Sequence, residues 1–293
     1  MQNKQSLGHL AAIITIIIWG TTFVATKVLL RTFTPVEILM TRFVIGYIAL
    51  LILKPGLLKL QHLKQELWFV GAGLSGVTIY YLLENIALTY TTASNVGIIT
   101  SISPFMTAIL SVLFLRTRKP SWLFYVGFIV SMTGVLLLNF QGGAAVHVNP
   151  VGDILALLAT VAWATYSVIT HKIGELNLNV IQATRHIFFY GILFMLPLTF
   201  FFDFKLDSAQ LMAPINLGNL LYLGLGACAL CFVTWNSAVK ILGPVRSSLY
   251  IYLIPVITLV FSVWLLHEPL TPMLIVGAAL TLVGLWLSEN SQH

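Results

Sequence analysis

The chain has 293 residues, 58% of them hydrophobic and only 8% charged, and its formal net charge is +6. That composition excludes a soluble domain, whose surface needs about 25% charged residues. The surplus of lysine and arginine suits loops beside an anionic lipid surface, which removes nucleic acid as a partner.

Apolar runs of the length a helix needs to cross a hydrocarbon core, about 20 residues, begin near Leu7, Pro35, Leu67, Ser94, Ser121, Val151, Val180, Leu217, Pro244 and Leu270. They predict an all-α integral membrane protein with ten transmembrane helices. A closed barrel, the other architecture that satisfies its backbone in lipid, would need alternating rather than continuous apolar patterning.

The first run, Leu7 to Leu30, is too long for a removable signal peptide and lacks a convincing small-residue cleavage site, so it is expected to stay as the first helix. It places Trp19, Thr22 and Thr26 on one helical face. The second run carries Arg42 about two turns in. The third puts Tyr81, Glu84, Asn85 and Leu88 on one face, with Glu84 at a depth similar to that of Arg42. A charge inside hydrocarbon costs about 2.5–3.5 kcal/mol or more and must be paired or face water. Arg42 and Glu84 therefore read as a structural ion pair, or Arg42 as a snorkelling arginine, or else Glu84 is a coupling site that holds a proton, another cation or a substrate ammonium.

In the fourth run Pro104 removes one backbone hydrogen bond and bends the helix, one turn after Ser101. Both are candidates for cavity lining or hinge, and a passive kink is the alternative. The fifth run sets Gly127 and Gly134 among aliphatics, a close-packing pattern. Residues 140 to 149, with Gly142 and Gly143, form the one plausible linker. The expected organisation is a first five-helix repeat over 1–141, a linker over 142–150 and a second repeat over 151–293.

From Val151 the pattern starts again. One constant offset lays Gly8, Ala12, Trp19, Thr21, Val24 and Thr26 over Gly152, Ala156, Trp163, Thr165, Val168 and Thr170. Thr41-Arg42 recurs as Thr184-Arg185, and Gly73, Asn85, Pro104 and Ser111 recur as Gly224, Asn236, Pro255 and Ser262. The sixth run thus presents Trp163, Tyr166 and Thr170 as the counterparts of Trp19, Thr22 and Thr26. The eighth offers Phe232, Trp235, Asn236 and Val239, and the ninth Tyr252 and Pro255. Such stripes suit a central cavity between two halves, although Ser, Thr and Asn also serve as interhelical glue. Cys228 and Cys231 match a redox spacing but lie inside an apolar run, as two small buried residues. Gly277 and Gly284 in the tenth run repeat the close-packing pattern of the fifth.

With the N-terminus inside, the inner loops hold Lys4, Lys54, Lys59, Lys64, Arg116, Arg118, Lys119, Lys172, Lys240 and Arg246, against Lys27, Arg31 and Lys205 outside. Both termini are expected in the cytoplasm. Five helices per half then turn the second repeat upside down relative to the first, an arrangement found in transporters. No metal-ligand cluster, phosphate loop or serine elbow is present in the sequence. No cofactor, metal or enzymatic activity is expected, and no obligate protein partner is evident.

The chain resembles the EamA-type permeases of the drug/metabolite transporter superfamily. The resemblance rests on W-G-T-T-F-V-A-T-K at Trp19 to Lys27, on Arg42, on A-L-x-Y-T-x-A-S from Ala87 to Ser94, on Pro104 and Pro255, and on H-E-P-L-T with the following G-A-A-L-T-L-V-G from His267 to Gly284. It implies a ten-helix inverted repeat and cytoplasmic termini. It also implies a cavity lined by the first, third, fourth, sixth, eighth and ninth helices, and export of small metabolites, often amino acids. Where the second half has His267-Glu268-Pro269, the first has Arg116-Thr117-Arg118-Lys119-Pro120, with no acid. The family's small four-helix relatives carry an acid in their first helix; this chain does not, and Glu84 is the candidate substitute. The expected function is secondary transport of a small amphipathic solute across the cytoplasmic (inner) membrane by alternating access. The alternatives are proton-coupled efflux of lipophilic cations and a non-transporting scaffold or helper subunit.

Overall fold

The computed structural model describes residues 2–58, 60, 62–139, 149–202, 204–265 and 271–290, and these are helical apart from short connections. The spans are α1 (Gln2–Leu29), α2 (Pro35–Leu53), α3 (Leu63–Tyr90), α4 (Asn95–Leu115), α5 (Trp122–Asn139), α6 (Pro150–Glu175), α7 (Val180–Phe201), α8 (Pro214–Leu242), α9 (Pro244–Leu249 continuing to Leu253–Leu265) and α10 (Pro272–Asn290). Eight of them are long and apolar enough to cross a membrane, and α5 and α9 supply shorter apolar stretches. The architecture is the expected ten-helix membrane fold. The proposed linker falls outside the described residues except for Asn149 and Pro150, and so does the turn His267-Glu268-Pro269.

Local chemistry sets the helix starts. Thr34 and Glu37 form a reciprocal capping box ahead of α2, with proline in its first turn. Asn149 and Asn179 accept two backbone N–H groups each at the starts of α6 and α7. Lys27 donates to the carbonyls of Leu88 and Thr91 at the end of α3, placing a cation where the helix dipole is negative.

The internal repeat reappears in backbone detail. α3 contains a π-helical segment at Gly73–Ile79 and α8 one at Tyr222–Leu230, at equivalent places in the two halves. The first lies against α7, where Thr78 Oγ1 donates to the Gly191 carbonyl at 3.0 Å, and the second against α2. Glycines permit both approaches: a Cβ at Gly73 would press on Tyr190 and the Gly191 backbone, and one at Gly224 on Ile45. The wider π turn changes which residues of α3 and α8 face inward.

Helix contacts follow the same symmetry. α5 packs on its counterpart α10, α2 on α7 and α4 on α9, while α1 crosses to α8 and α3 crosses to α6. The α5–α10 seam is the tightest, with Gly127, Ser131 and Gly134 meeting Gly277, Thr281, Gly284 and Ser288. Ser131 Oγ donates to the Thr281 carbonyl at 3.3 Å and Ser288 Oγ to the Phe124 carbonyl at 3.4 Å. Small residues let the backbones approach, and side-chain hydroxyls join them, which is how helices associate without a hydrophobic driving force. On the outside Ile52, Phe200, Phe201 and Trp286 stay exposed, as a lipid-facing surface requires.

A Cβ at Gly284 would overlap the Ser131 backbone, whereas one at Gly218 meets nothing within 4 Å. Gly284→Leu should therefore lower stability by at least about 1–3 kcal/mol, read as a lower melting temperature of purified protein in detergent. Gly218→Leu should melt like the parent.

Candidate functional site

Aromatic side chains occupy the centre of the molecule. Trp19 of α1 meets Trp163 of α6 edge-on, with ring centroids 5.1 Å apart, and Trp235 of α8 lies 5.2 Å from Trp19 and 5.8 Å from Trp163. Phe232, the counterpart of Tyr81, sits behind them in contact with Trp19, Phe43, Tyr81, Trp163, Tyr166 and Phe188. Edge-on pairs of this kind add about 0.5–1.5 kcal/mol each beyond burial.

One cavity opens against this frame, between α1, α3, α4, α6 and α9. It is lined by Trp19, Thr22, Phe23, Tyr80, Tyr81, Glu84, Thr100, Ser103, Trp163, Ile251 and Ile254. Its volume is about 30 Å³, room for roughly one or two waters, so the state described is contracted around its centre. Of the residues singled out in the sequence, Trp19, Thr22, Tyr81, Glu84 and Trp163 line it together. Trp235 stands behind the two tryptophans.

Glu84 is the one charged side chain among the described residues that line the cavity, and Tyr80 donates to its Oε1 at 3.4 Å. Arg42 does not pair with it. The ion pairs among the described residues are His9–Glu289, His171–Glu175, Lys172–Glu175 and His186–Glu66. The cross-helix Arg42–Glu84 ion pair considered from the sequence is thereby corrected: the Tyr81 ring occupies the space beside the guanidinium. Arg42 lies 4.4 Å from the Tyr81 ring centroid and 5.7 Å from that of Phe43, and its Nε donates to Cys228 Sγ at 3.2 Å. A guanidinium out of water gains from aromatic faces, and Arg42 is not among the residues that line the cavity. Cys228 and Cys231 are free and buried.

A second, smaller cavity of about 20 Å³ lies between α6, α7 and α8 and includes Thr170, Asn236 and Lys240. Beside it Tyr166 donates to Asn236 Oδ1 at 2.7 Å, and Asn236 Nδ2 donates to Thr184 Oγ1 at 3.0 Å. The first half holds the same positions as Thr22, Asn85 and Thr41 but builds no such chain. Threonine is too short to replace the tyrosine, Asn85 Nδ2 turns to the Pro35 carbonyl at 3.2 Å, and Asn85 Oδ1 and Thr41 Oγ1 are buried without a partner. Asn85 thus lies away from the cavity. Thr26 is buried but lines neither cavity.

Pro104 and Pro255 act through their neighbours. Each removes the N–H that would bond the carbonyl four residues earlier, and those residues, Thr100 and Ile251, both line the central cavity. α4 is interrupted at Ser101, which is buried and donates to the Gly97 carbonyl at 2.9 Å. α9 narrows to a 3-10 turn at Tyr250–Tyr252. That turn points Ile251 and Ile254 to the cavity and puts Tyr252 in a separate cluster with Ala108, Phe124 and Leu249, which corrects its expected lining role. The hydroxyls of Tyr252, Ser247, Thr107 and Ser111, all on α4 or α9, are buried with no hydrogen-bond partner.

The sequence reading missed Tyr80, Phe23, Thr100, Ser103, Ile251 and Ile254. Tyr80 precedes Glu84 by one helical turn and was findable by spacing. The others depend on the breaks in α4 and α9.

Asn236→Leu should strand two buried hydroxyls and cost about 1–3 kcal/mol for each, seen as a lower melting temperature in detergent. Asn85→Leu, whose Oδ1 has no partner to lose, should cost less; equal losses would show the asymmetry to be without energetic weight.

Comparison with known proteins is consistent along the whole chain. The model of the EamA-like transporter family matches residues 6–140 and again 150–289. An uncharacterized transporter of Archaeoglobus fulgidus is 27% identical over 99% of both chains. A probable terminal-alkyne amino-acid exporter of Streptantibioticus cattleyicolor is 26% identical over 97% of this chain and 94% of its own. A crystal structure sharing 19% identity superposes with a TM-score of 0.77 over 96% of each chain, which establishes likeness of fold.

Proposed function

The chain belongs to the EamA-like transporter family, and from that premise we propose that it is a gradient-driven exporter of small amphipathic amines, amino acids foremost, working by alternating access in the cytoplasmic membrane with both termini inside. The observation that carries this reading is the composition of the central cavity: aromatic walls from both halves around a single carboxylate. Three of its hydroxyls are engaged within the protein. Thr22 Oγ1 is committed to the Trp19 carbonyl at 2.9 Å, Thr100 Oγ1 to the Gly97 carbonyl at 3.0 Å, and the Tyr80 hydroxyl to Glu84. That leaves Glu84 to meet a substrate ammonium, with Trp19, Tyr80 and Trp163 around it. The relative described as a probable amino-acid exporter supports the substrate class. Glu84 is the natural seat for a coupling proton, because a proton and a substrate cation neutralise the same carboxylate and so exchange there with no change in the cavity's net charge.

A second reading, efflux of lipophilic cations, is favoured by one feature: among the described residues Glu84 is the only charged one lining the cavity, with no cation there to receive a substrate carboxylate. Uptake into liposomes of purified protein, with labelled amino acids and one lipophilic cation, with and without a pH gradient, separates the two. Saturable amino-acid flux is expected; cation flux alone would move the assignment to the second reading, and no flux in either arm would favour a non-transporting helper.

Trp163→Ala should raise KM by about tenfold, roughly 1.4 kcal/mol, with little change in yield of folded protein. Unaltered KM would assign Trp163 to packing. Glu84→Gln should abolish either transport or its dependence on pH while expression stays normal, and wild-type kinetics at every pH would remove Glu84 from the site.

A further inference from the structure

A third cavity lies at the other end of α4, outside the transport route. It measures about 260 Å³ and runs between α4 and α5, with Phe105, Ile109, Val112, Leu113 and Phe124 as apolar walls and Lys119 at one end. It opens sideways toward the bilayer, since Ile109, Leu113 and Phe114 along this edge are 40%, 66% and 70% exposed. An occupant must therefore enter from the lipid.

The charged end is built by the loop between the two helices. The side chains of Arg116, Arg118 and Lys119 are exposed there, with no acid between them, and none of these side chains makes an ion pair or hydrogen bond with a described residue. Arg116 holds a left-handed backbone, φ 53°, that turns the chain sharply off α4. A side chain is uncommon in that conformation, and glycine would hold it without steric cost. Trp122, exposed at the first position of α5, fixes the loop at the depth where aromatic residues meet lipid headgroups.

We propose that this groove binds one anionic glycerophospholipid, an acyl chain lying along α4 and α5 and the phosphate held by Arg116, Arg118 and Lys119. The walls select a hydrocarbon tail, and three cations without a counter-charge select a headgroup of net negative charge over a zwitterionic one, whose own ammonium they repel. The equivalent turn of the second half reads His267-Glu268-Pro269 in sequence, so the basic cluster belongs to one leaflet only. This site is independent of the transport reading.

Native mass spectrometry of the purified full chain with equimolar phosphatidylglycerol and phosphatidylcholine tests the assignment. The wild type should retain phosphatidylglycerol over phosphatidylcholine by at least about tenfold. Neutralising the loop (R116Q, R118Q and K119Q together) should bring the ratio near one, and R118Q alone should give an intermediate value. Ile109→Trp, which fills the groove and leaves the charges intact, should remove the retained lipid. Lys64→Gln, on the same face but another loop, should keep the wild-type ratio. Monodisperse elution of each variant establishes folding. An unchanged ratio in the neutralised loop, or undiminished retention in Ile109→Trp, would overturn the proposal, the latter by showing attraction to headgroups without a groove.

Discussion

Trp19 and Trp163 are the same residue in two copies of one half-fold, and they touch, with ring centroids 5.1 Å apart. A two-fold relation brings any residue near its axis against its own counterpart, so self-pairing marks where the axis runs. The same relation makes α5 pack on α10, α2 on α7 and α4 on α9, and it makes the α1–α8 crossing the image of the α3–α6 crossing. The central cavity opens where those elements converge, and its aromatic walls follow from that position. Little else fills space on an axis with two identical large rings already in place.

The fold is symmetric, but its polar groups are not. Arg42 and Arg185 are counterparts, yet Arg42 is buried on the Tyr81 face while Arg185 donates to the Lys54 and Gly56 carbonyls beyond the end of α2. Glu84 corresponds to Trp235, so one half offers a carboxylate where the other offers an indole. Asn236 is satisfied by Tyr166 and Thr184, while Asn85 keeps an unpartnered oxygen. In the proposed cycle the two halves exchange conformations, and these differences make the two states unequal in energy. A strictly symmetric chain would sit equally in both.

The architecture was legible because the hydrocarbon core leaves few choices: long apolar runs become helices, and small residues such as Gly127 and Gly284 mark where helices touch. The paired tryptophans were legible through the repeat. Side-chain facing was less so, because a fixed helical period fails where the backbone departs from it. The π segments of α3 and α8 and the interruption of α4 at Ser101 re-aim the residues that follow. Tyr252 shows the limit: its position repeats that of Ser101, but the 3-10 turn on α9 sends it into the α4–α5 cluster. The partner of Arg42 was hidden for another reason. Opposite charges at one depth suggest an ion pair, and nothing in the spacing of Arg42 and Glu84 shows that the guanidinium lies against the Tyr81 ring instead.

The packing of α4 against α9 holds an unresolved cost. Thr107 and Ser111 on one helix and Ser247 and Tyr252 on the other are buried with hydroxyls that bond to nothing, and each such group costs about 1–3 kcal/mol relative to a hydrated one. The apolar neighbours Ala108, Phe124 and Leu249 hold the helices together regardless. The described state is thus a balance between apolar packing and desolvated hydroxyls along the two helices that also carry Pro104 and Pro255. Parting α4 from α9 would hydrate all four hydroxyls at the expense of that packing; on α4 Pro104 lies between Thr107 and the cavity-lining Thr100, whereas on α9 the cavity-lining Ile251 itself stands between Ser247 and Tyr252.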